Sequence, residues 1–111
     1  MFQWINNIKW FIQRGRRGYA DCDVWWLCTY LSEWLPKALR QLAKETHGAP
    51  NDLFDGTGER WEKVLETMAQ GFEARNIIDE NLPEKEEEER LERIANKGLL
   101  LFVKYFKDLW D

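Results

Sequence analysis

Residues 21–48, DCDVWWLCTYLSEWLPKALRQLAKETHG, decide the fold. Val24, Leu27, Cys28, Leu31, Leu35, Ala38, Leu39 and Leu42 fall within a stripe about 120° wide at helical periodicity, the width of a core-facing helix. Asp21 reads as the N-cap, and Asp23 as a first-turn carboxylate drawn to the positive end of the helix dipole. Pro36 removes one backbone hydrogen bond, so a long central helix over residues 22–46 is expected to bend there. His47-Gly48, with Pro50 beyond, stops it.

Outward from this helix the chain keeps the same period. Residues 2–13 place Phe2, Ile5, Ile8 and Ile12 on one face, widened by Trp4, Trp10 and Phe11. A membrane-surface helix and a core helix both fit this pattern. The core reading is favoured, because the segment's own cation is a single lysine. Gly15 and Gly18 bracket Arg16 and Arg17 in an expected turn. Residues 48–58 read as a Gly/Asn/Asp/Pro loop, with Thr57 as the cap of a third helix over 58–79. Its Trp61, Val64, Leu65, Met68 and Phe72 share one stripe. Asn81-Leu82-Pro83 breaks it, and Pro83 is expected as the first residue of the next helix.

The fourth helix opens on the acidic run Glu84 to Glu89, at the end where negative charge is favoured. It continues through Leu91, Ile94, Ala95, Gly98, Phe102, Tyr105, Phe106 and Leu109. Leu99, Leu100, Val103 and Trp110 then extend the apolar surface beyond one stripe, with Leu100 opposite the core. A helix apolar nearly all round is covered on two sides, and the simplest second cover is another copy of the chain. A homo-oligomer through the C-terminal helix is therefore expected; a monomer in which the first helix packs over this face is the alternative. The fold class is all-α: one domain over residues 1–111, a small bundle of about four helices.

Composition supports this picture. The chain has 111 residues, 44% hydrophobic and 32% charged, a globular balance with room for a single core. Seven tryptophans exceed what so small a core needs, so several rings are expected at its edge or at a contact surface. The net charge of −4 is uneven. Residues 1–50 carry seven Lys/Arg against four Asp/Glu, while 51–111 carry nine against sixteen. That field disfavours a nucleic-acid polymer as partner. Cys22 and Cys28 point about 240° apart on one helix and cannot pair there, which suits a reducing compartment. The longest apolar run, residues 99–103, is far below the ~18 residues of a membrane span, and the arginines follow the first apolar stretch, unlike a signal peptide. No membrane association and a cytoplasmic location are expected.

The candidate site is the reverse of the central helix. Trp26, Tyr30, Glu33, Lys37, Arg40 and Lys44 lie within about 80° of one another, with His47 near that line. Cations for phosphates beside rings for stacking suit a small anionic, nucleotide-like ligand. An ordinary solvated face with an i,i+4 Glu33–Lys37 pair fits equally well. The Arg14-Gly15-Arg16-Arg17-Gly18 segment is a second phosphate candidate, although Asp21 and Asp23 compete for the guanidiniums and Arg–Asp pairing is the favoured outcome. Enzyme chemistry finds little support. His47 is the only histidine and the cysteines lack zinc spacing. Glu62, Glu66 and Glu73 share a face that could hold a divalent cation for nucleotide hydrolysis, but a solvated face is favoured. No catalytic residue, cofactor or metal is expected.

Several motifs occur in an order that resembles a widespread family of short helical proteins encoded by tailed bacteriophages and prophages. They are Arg17-Gly18-Tyr19 leading to Asp21-Cys22-Asp23-Val24-Trp25, Leu35-Pro36, His47-Gly48 with Pro50, Trp61-Glu62, Met68 and Gly71-Phe72-Glu73. Gly98-Leu99, Leu101-Phe102, Lys104-Tyr105-Phe106 and Leu109-Trp110-Asp111 complete the set. The chain departs from the pattern at Cys28, where an acidic residue often stands. The resemblance implies a phage accessory protein working in the host cytoplasm by occupation. The residues, and not the resemblance, point further: the leading expectation is sequestration of a phosphorylated nucleotide signal of antiphage defence through Arg16, Arg17, Trp26, Tyr30, Lys37, Arg40, Lys44 and His47, and the alternative is a protein that inhibits or bridges a host or virion protein.

Overall fold

The computed structural model describes residues 3–81 and 83–110, and among them there is no strand. Phe2 and Leu82, assigned above to a helix face and a helix break, and Asp111 lie outside the described residues. Five α-helices follow one another: α1 Gln3–Arg17, α2 Asp21–Trp25, α3 Leu27–Glu45, α4 Glu59–Asn81 and α5 Lys85–Tyr105. Short 3-10 turns stand at Asn51–Leu53 and Phe106–Asp108. The all-α class is as expected. No helix among the described residues is long and apolar enough to cross a membrane.

Four boundaries differ from those read in the sequence. Asp21, expected as an N-cap, is the first residue of α2, and Ala20 stands in the cap position with extended backbone. The expected helix over 22–46 is two helices, because the backbone leaves helical geometry at Trp26 (φ −129°, ψ 49°), while α3 runs on through Pro36. The first helix does not stop before Arg14 but continues through Gly15 to Arg17, and the chain turns at Gly18 with a positive φ of 88°. Gly15 meets no neighbour within 4 Å, so it costs the helix only the ~1 kcal/mol of an exposed glycine. Pro83 does not open α5: Glu84 is its N-cap, and Lys85 its first residue.

The chain divides into two compact units, Met1–Tyr30 and Leu31–Asp111. In the second, α4 and α5 form an antiparallel hairpin. Trp61 meets Tyr105 edge-on at 5.6 Å, Phe72 meets Phe102 at 5.2 Å, and Arg75 reaches Glu92 near the connection. Between these layers the helices touch through glycines. A Cβ built on Gly98 would lie 2.7 Å from the Gly71 Cα and 2.9 Å from the Thr67 carbonyl oxygen, so only hydrogen fits. The expected stripe of α4 is largely the observed core: Trp61, Leu65, Met68 and Phe72 are buried with Leu39 of α3 and Leu53 of the loop. A smaller cluster of Ala74, Ile78, Leu91 and Ala95 fills the hairpin toward its connection. Tyr105 is tied to the loop by donating its hydroxyl to Asp52 at 2.7 Å.

The stripe expected on the central helix holds only in its second half. Leu35, Leu39 and Leu42 join the core, but Val24, Leu27 and Cys28 are exposed, as is Ala38, and Ser32 and Pro36 are buried instead. The break at Trp26 changes the phase of what precedes it, which accounts for Val24; Leu27, Cys28 and Ala38 lie within α3, whose buried side runs through Ser32, Pro36 and Leu39 instead.

The first unit is built differently. No residue of α1 is buried. The helix touches α2 with its polar side, where Arg14 grips the buried Asp23 by two hydrogen bonds of 2.9 and 2.6 Å. Gln13 and Asp21 exchange bonds of 3.0 and 2.9 Å, and Arg17 reaches Asp21 at 2.6 Å. Asp23 also accepts the Ala20 backbone N–H at 2.8 Å. Trp10 also meets Trp25 edge-on, at 6.2 Å.

Candidate functional site

Three surfaces carry the residues singled out in the sequence. The first is the arginine turn. Its guanidiniums are engaged as the pairing alternative expected: Arg14 with Asp23, Arg17 with Asp21 and with the Tyr19 carbonyl at 2.9 Å, the guanidinium also lying 4.5 Å over the Tyr19 ring. Arg14 holds the Asp23 carboxyl down at about 2, with help from the Ala20 N–H. Gln13 and then Arg17 lower Asp21. Arg16 is exposed on the outer side of the same turn.

Trp26 and Tyr30 belong to this first unit. Trp26, at the break, is 72% exposed. Tyr30 is partly buried, donates its hydroxyl to the Gly18 carbonyl at 3.2 Å and lies under the Arg14 guanidinium at 5.9 Å. The second ring expected for stacking thus fastens the turn that follows α1.

The cations of α3 belong to the second unit. Arg40 makes a double fork: Nε and Nη2 donate to the two oxygens of Glu66 at 3.0 Å each, while Nη1 and Nη2 donate to those of Glu73 at 2.8 and 2.6 Å. Four of the donors of one guanidinium are therefore spent on two carboxylates two turns apart on one face of α4. Both bonds raise the Arg40 pKa, that to Glu73 most, and Arg40 in turn lowers Glu66. A phosphate at Arg40 has to displace a carboxylate that already fits it. The same pairing occupies two of the three glutamates considered above for a divalent cation. Among the described residues no group of three or more His, Cys, Asp or Glu could hold a metal ion.

Beside this fork lies an open groove of about 480 Å³, lined by Arg40, Ala43, Lys44, Glu59, Glu62, Lys63 and Glu66. Arg40 and Lys44 are brought together here as the wheel implied, but three cations face three carboxylates, so the lining is neutral in sum. Lys37 is exposed on α3 and does not line the groove. His47 lies beyond the end of α3 at Glu45 and is not on the helical ribbon. It lines a separate hollow of about 350 Å³ with Thr46, Gly48, Ala49, Pro50, Trp61, Asp108 and Trp110. His47 also lines a second, smaller hollow that includes Asp55, the residue that organises the start of α4. Its carboxylate accepts the N–H groups of Thr57, Gly58 and Arg60 and falls to about 2 through them, Thr57 first. Thr57, the expected cap, does receive the Glu59 N–H at 3.2 Å, but Asp55 gathers three backbone donors.

The third surface is the outer face of α5. Leu100 is 72% and Val103 75% exposed, and Leu99 and Phe106 stand beside them, Phe106 edge-on to Phe102 at 5.5 Å. The surplus apolar side read from the sequence is thus present on the surface of the second unit, and it includes Phe106, which had been assigned to the core stripe.

Comparison with protein-family models, with curated proteins and with solved structures finds no match to this chain.

Proposed function

We propose that this chain is a non-catalytic binding protein, a phage-encoded accessory factor that assembles through the outer face of α5 and acts by occupying a surface of a host or virion protein. The observation that carries the reading is the doubly apolar character of α5. Its inner side is filled by α4, and its outer side still presents Leu99, Leu100 and Val103 to water, with Phe106 of the following 3-10 turn beside them. Isolated exposed apolar residues are common, but three on adjacent turns of one helix and a fourth in the 3-10 turn that follows form a patch of the kind that marks contact sites. A two-fold contact between copies would set this face against itself.

Light scattering tests the assembly. The wild-type chain is expected to run as a multimer, and Val103→Glu as a monomer with unchanged helicity, because Val103 contributes little to the core. A wild-type chain that is monomeric at every concentration would remove the reading.

A second reading is sequestration of a small phosphorylated, nucleotide-like ligand, favoured by the groove that gathers Arg40, Lys44 and Lys63. It ranks below the first because Glu59, Glu62 and Glu66 cancel that charge and Arg40 is already forked. Calorimetry against cyclic and linear nucleotides decides it: heat that disappears in Lys44→Ala would restore this reading to first place.

A further inference from the structure

We infer that α1 is a membrane-docking helix that lies in the interface of an anionic lipid surface, a property independent of the assembly through α5. The starting point is an inversion. On the wheel of α1, Phe11, Trp4, Ile8, Ile12 and Ile5 fill one continuous arc about 120° wide. A helix of a soluble domain turns such an arc inward. Here α1 turns Trp10, Gln13, Arg14 and Arg17 toward α2 and leaves the arc outside, with Phe11 78% and Trp4 62% exposed. The fit between α1 and α2 is made by hydrogen-bonded charges, so the arc is not required to hold that seam.

The charge on the same helix selects the occupant. α1 carries Lys9, Arg14, Arg16 and Arg17 and not one carboxylate. The two carboxylates of the whole first unit, Asp21 and Asp23, sit on the α2 side of the seam. Lys9, 3.8 Å from Asp21, and Arg16 border the arc beyond Ile5, and Arg14, paired with Asp23, lies beyond its other edge; four cations against two carboxylates leave the first unit net positive. A second copy of α1 laid against this face would bring like charges together. An anionic bilayer answers both features: its headgroups attract the cationic border, and its acyl boundary accepts Ile, Phe and Trp side chains. Trp4 suits that depth, with an apolar ring and an N–H that can stay in the wet headgroup layer. The earlier preference for a core helix rested on a single lysine within residues 2–13. The helix in fact runs to Arg17 and adds three arginines.

Co-sedimentation of the full chain with vesicles of phosphatidylcholine alone, and of phosphatidylcholine doped with phosphatidylglycerol, tests this. The chain is expected to pellet with the doped vesicles, far less with the neutral ones, and to be released as salt screens the attraction. Phe11→Ser, at a position that packs little, is expected to keep its helicity and to weaken vesicle binding at least about tenfold. Val103→Glu is expected to bind vesicles like the wild type, which separates this proposal from the assembly through α5. The inference is overturned if folded protein ignores doped vesicles, if both vesicle types bind it equally, or if Phe11→Ser binds as well as the wild type. It is equally overturned if Phe11→Ser lowers the molar mass of the protein, since the arc would then be a contact between copies.

Discussion

The two units solve the same problem in opposite ways. Leu31–Asp111 encloses Trp61, Leu65 and Met68 almost completely and leaves its ion pairs on the outside. Met1–Tyr30 buries Asp23 and leaves Trp4, Ile8, Phe11, Trp25 and Trp26 in water. Apolar burial contributes roughly 25 cal/mol per Å² and is indifferent to pH and salt, whereas a seam of forked arginines depends on both. The contrast teaches where function is expected: apolar side chains that do not hold a fold are available to hold something else.

The largest effect that would sharpen the contrast lies in the second core. Trp61→Ala removes a fully buried ring that meets Tyr105 edge-on, and is expected to cost about 3–5 kcal/mol in chemical denaturation. Gly98→Ala comes next, at about 1–3 kcal/mol, because the new methyl meets backbone at Gly71 and Thr67, and two helices have to move apart. A denaturation midpoint unchanged in Gly98→Ala would show that the hairpin is not held at the glycine crossing.

The first unit should respond to charge. Arg14→Ala leaves the buried Asp23 carboxylate with the Ala20 N–H but without its counter-ion, at a local cost of about 2 kcal/mol. Hydrogen exchange is expected to show lost protection over residues 3–25 and unchanged protection in α4 and α5. Acid probes the same bond. Asp23 titrates at about 2 in the folded unit and at about 3.9 when unfolded, so its contribution is complete above the unfolded value and is lost as pH falls through the folded one. The α1–α2 seam is thus expected to loosen between about pH 4 and 2. Asp23→Asn should lose that pH dependence. Smallest is Arg40→Ala: its partners are half-exposed, so the loss is about 0.5–1 kcal/mol despite the double fork, and it shrinks in high salt.

The same contrast explains what could be read from the sequence. α4 and α5 were legible because long helices packed on one side carry an uninterrupted stripe, and Trp61, Leu65, Met68, Phe72, Leu91 and Ala95 all lie where the period put them. The surplus on α5 was legible for the same reason: Leu100 and Val103 fall outside the stripe. The break at Trp26 was not, since no Gly or Pro marks it and Pro36 offered a stronger local signal. Asp23 reads both as a first-turn dipole carboxylate and as a partner for the arginines of residues 14–17; the pairing holds, but no local pattern singles out Arg14, nine residues earlier on another helix, as the one that takes it. Of the site, Arg40 and Lys44 were correctly placed on one face, but nothing local announces that Glu66 and Glu73 reach Arg40 from α4. The one hint was their common face with Glu62, about three turns of carboxylates turned to one side of α4.

Assembly through α5 is tested most directly by guanidinium unfolding of the wild type and of Val103→Glu at two widely separated protein concentrations. The account expects the wild-type midpoint to rise with concentration, since association stabilises only the folded chain, and the Val103→Glu midpoint to stay fixed. A wild-type midpoint that ignores concentration, or a variant that shifts as the wild type does, would contradict it.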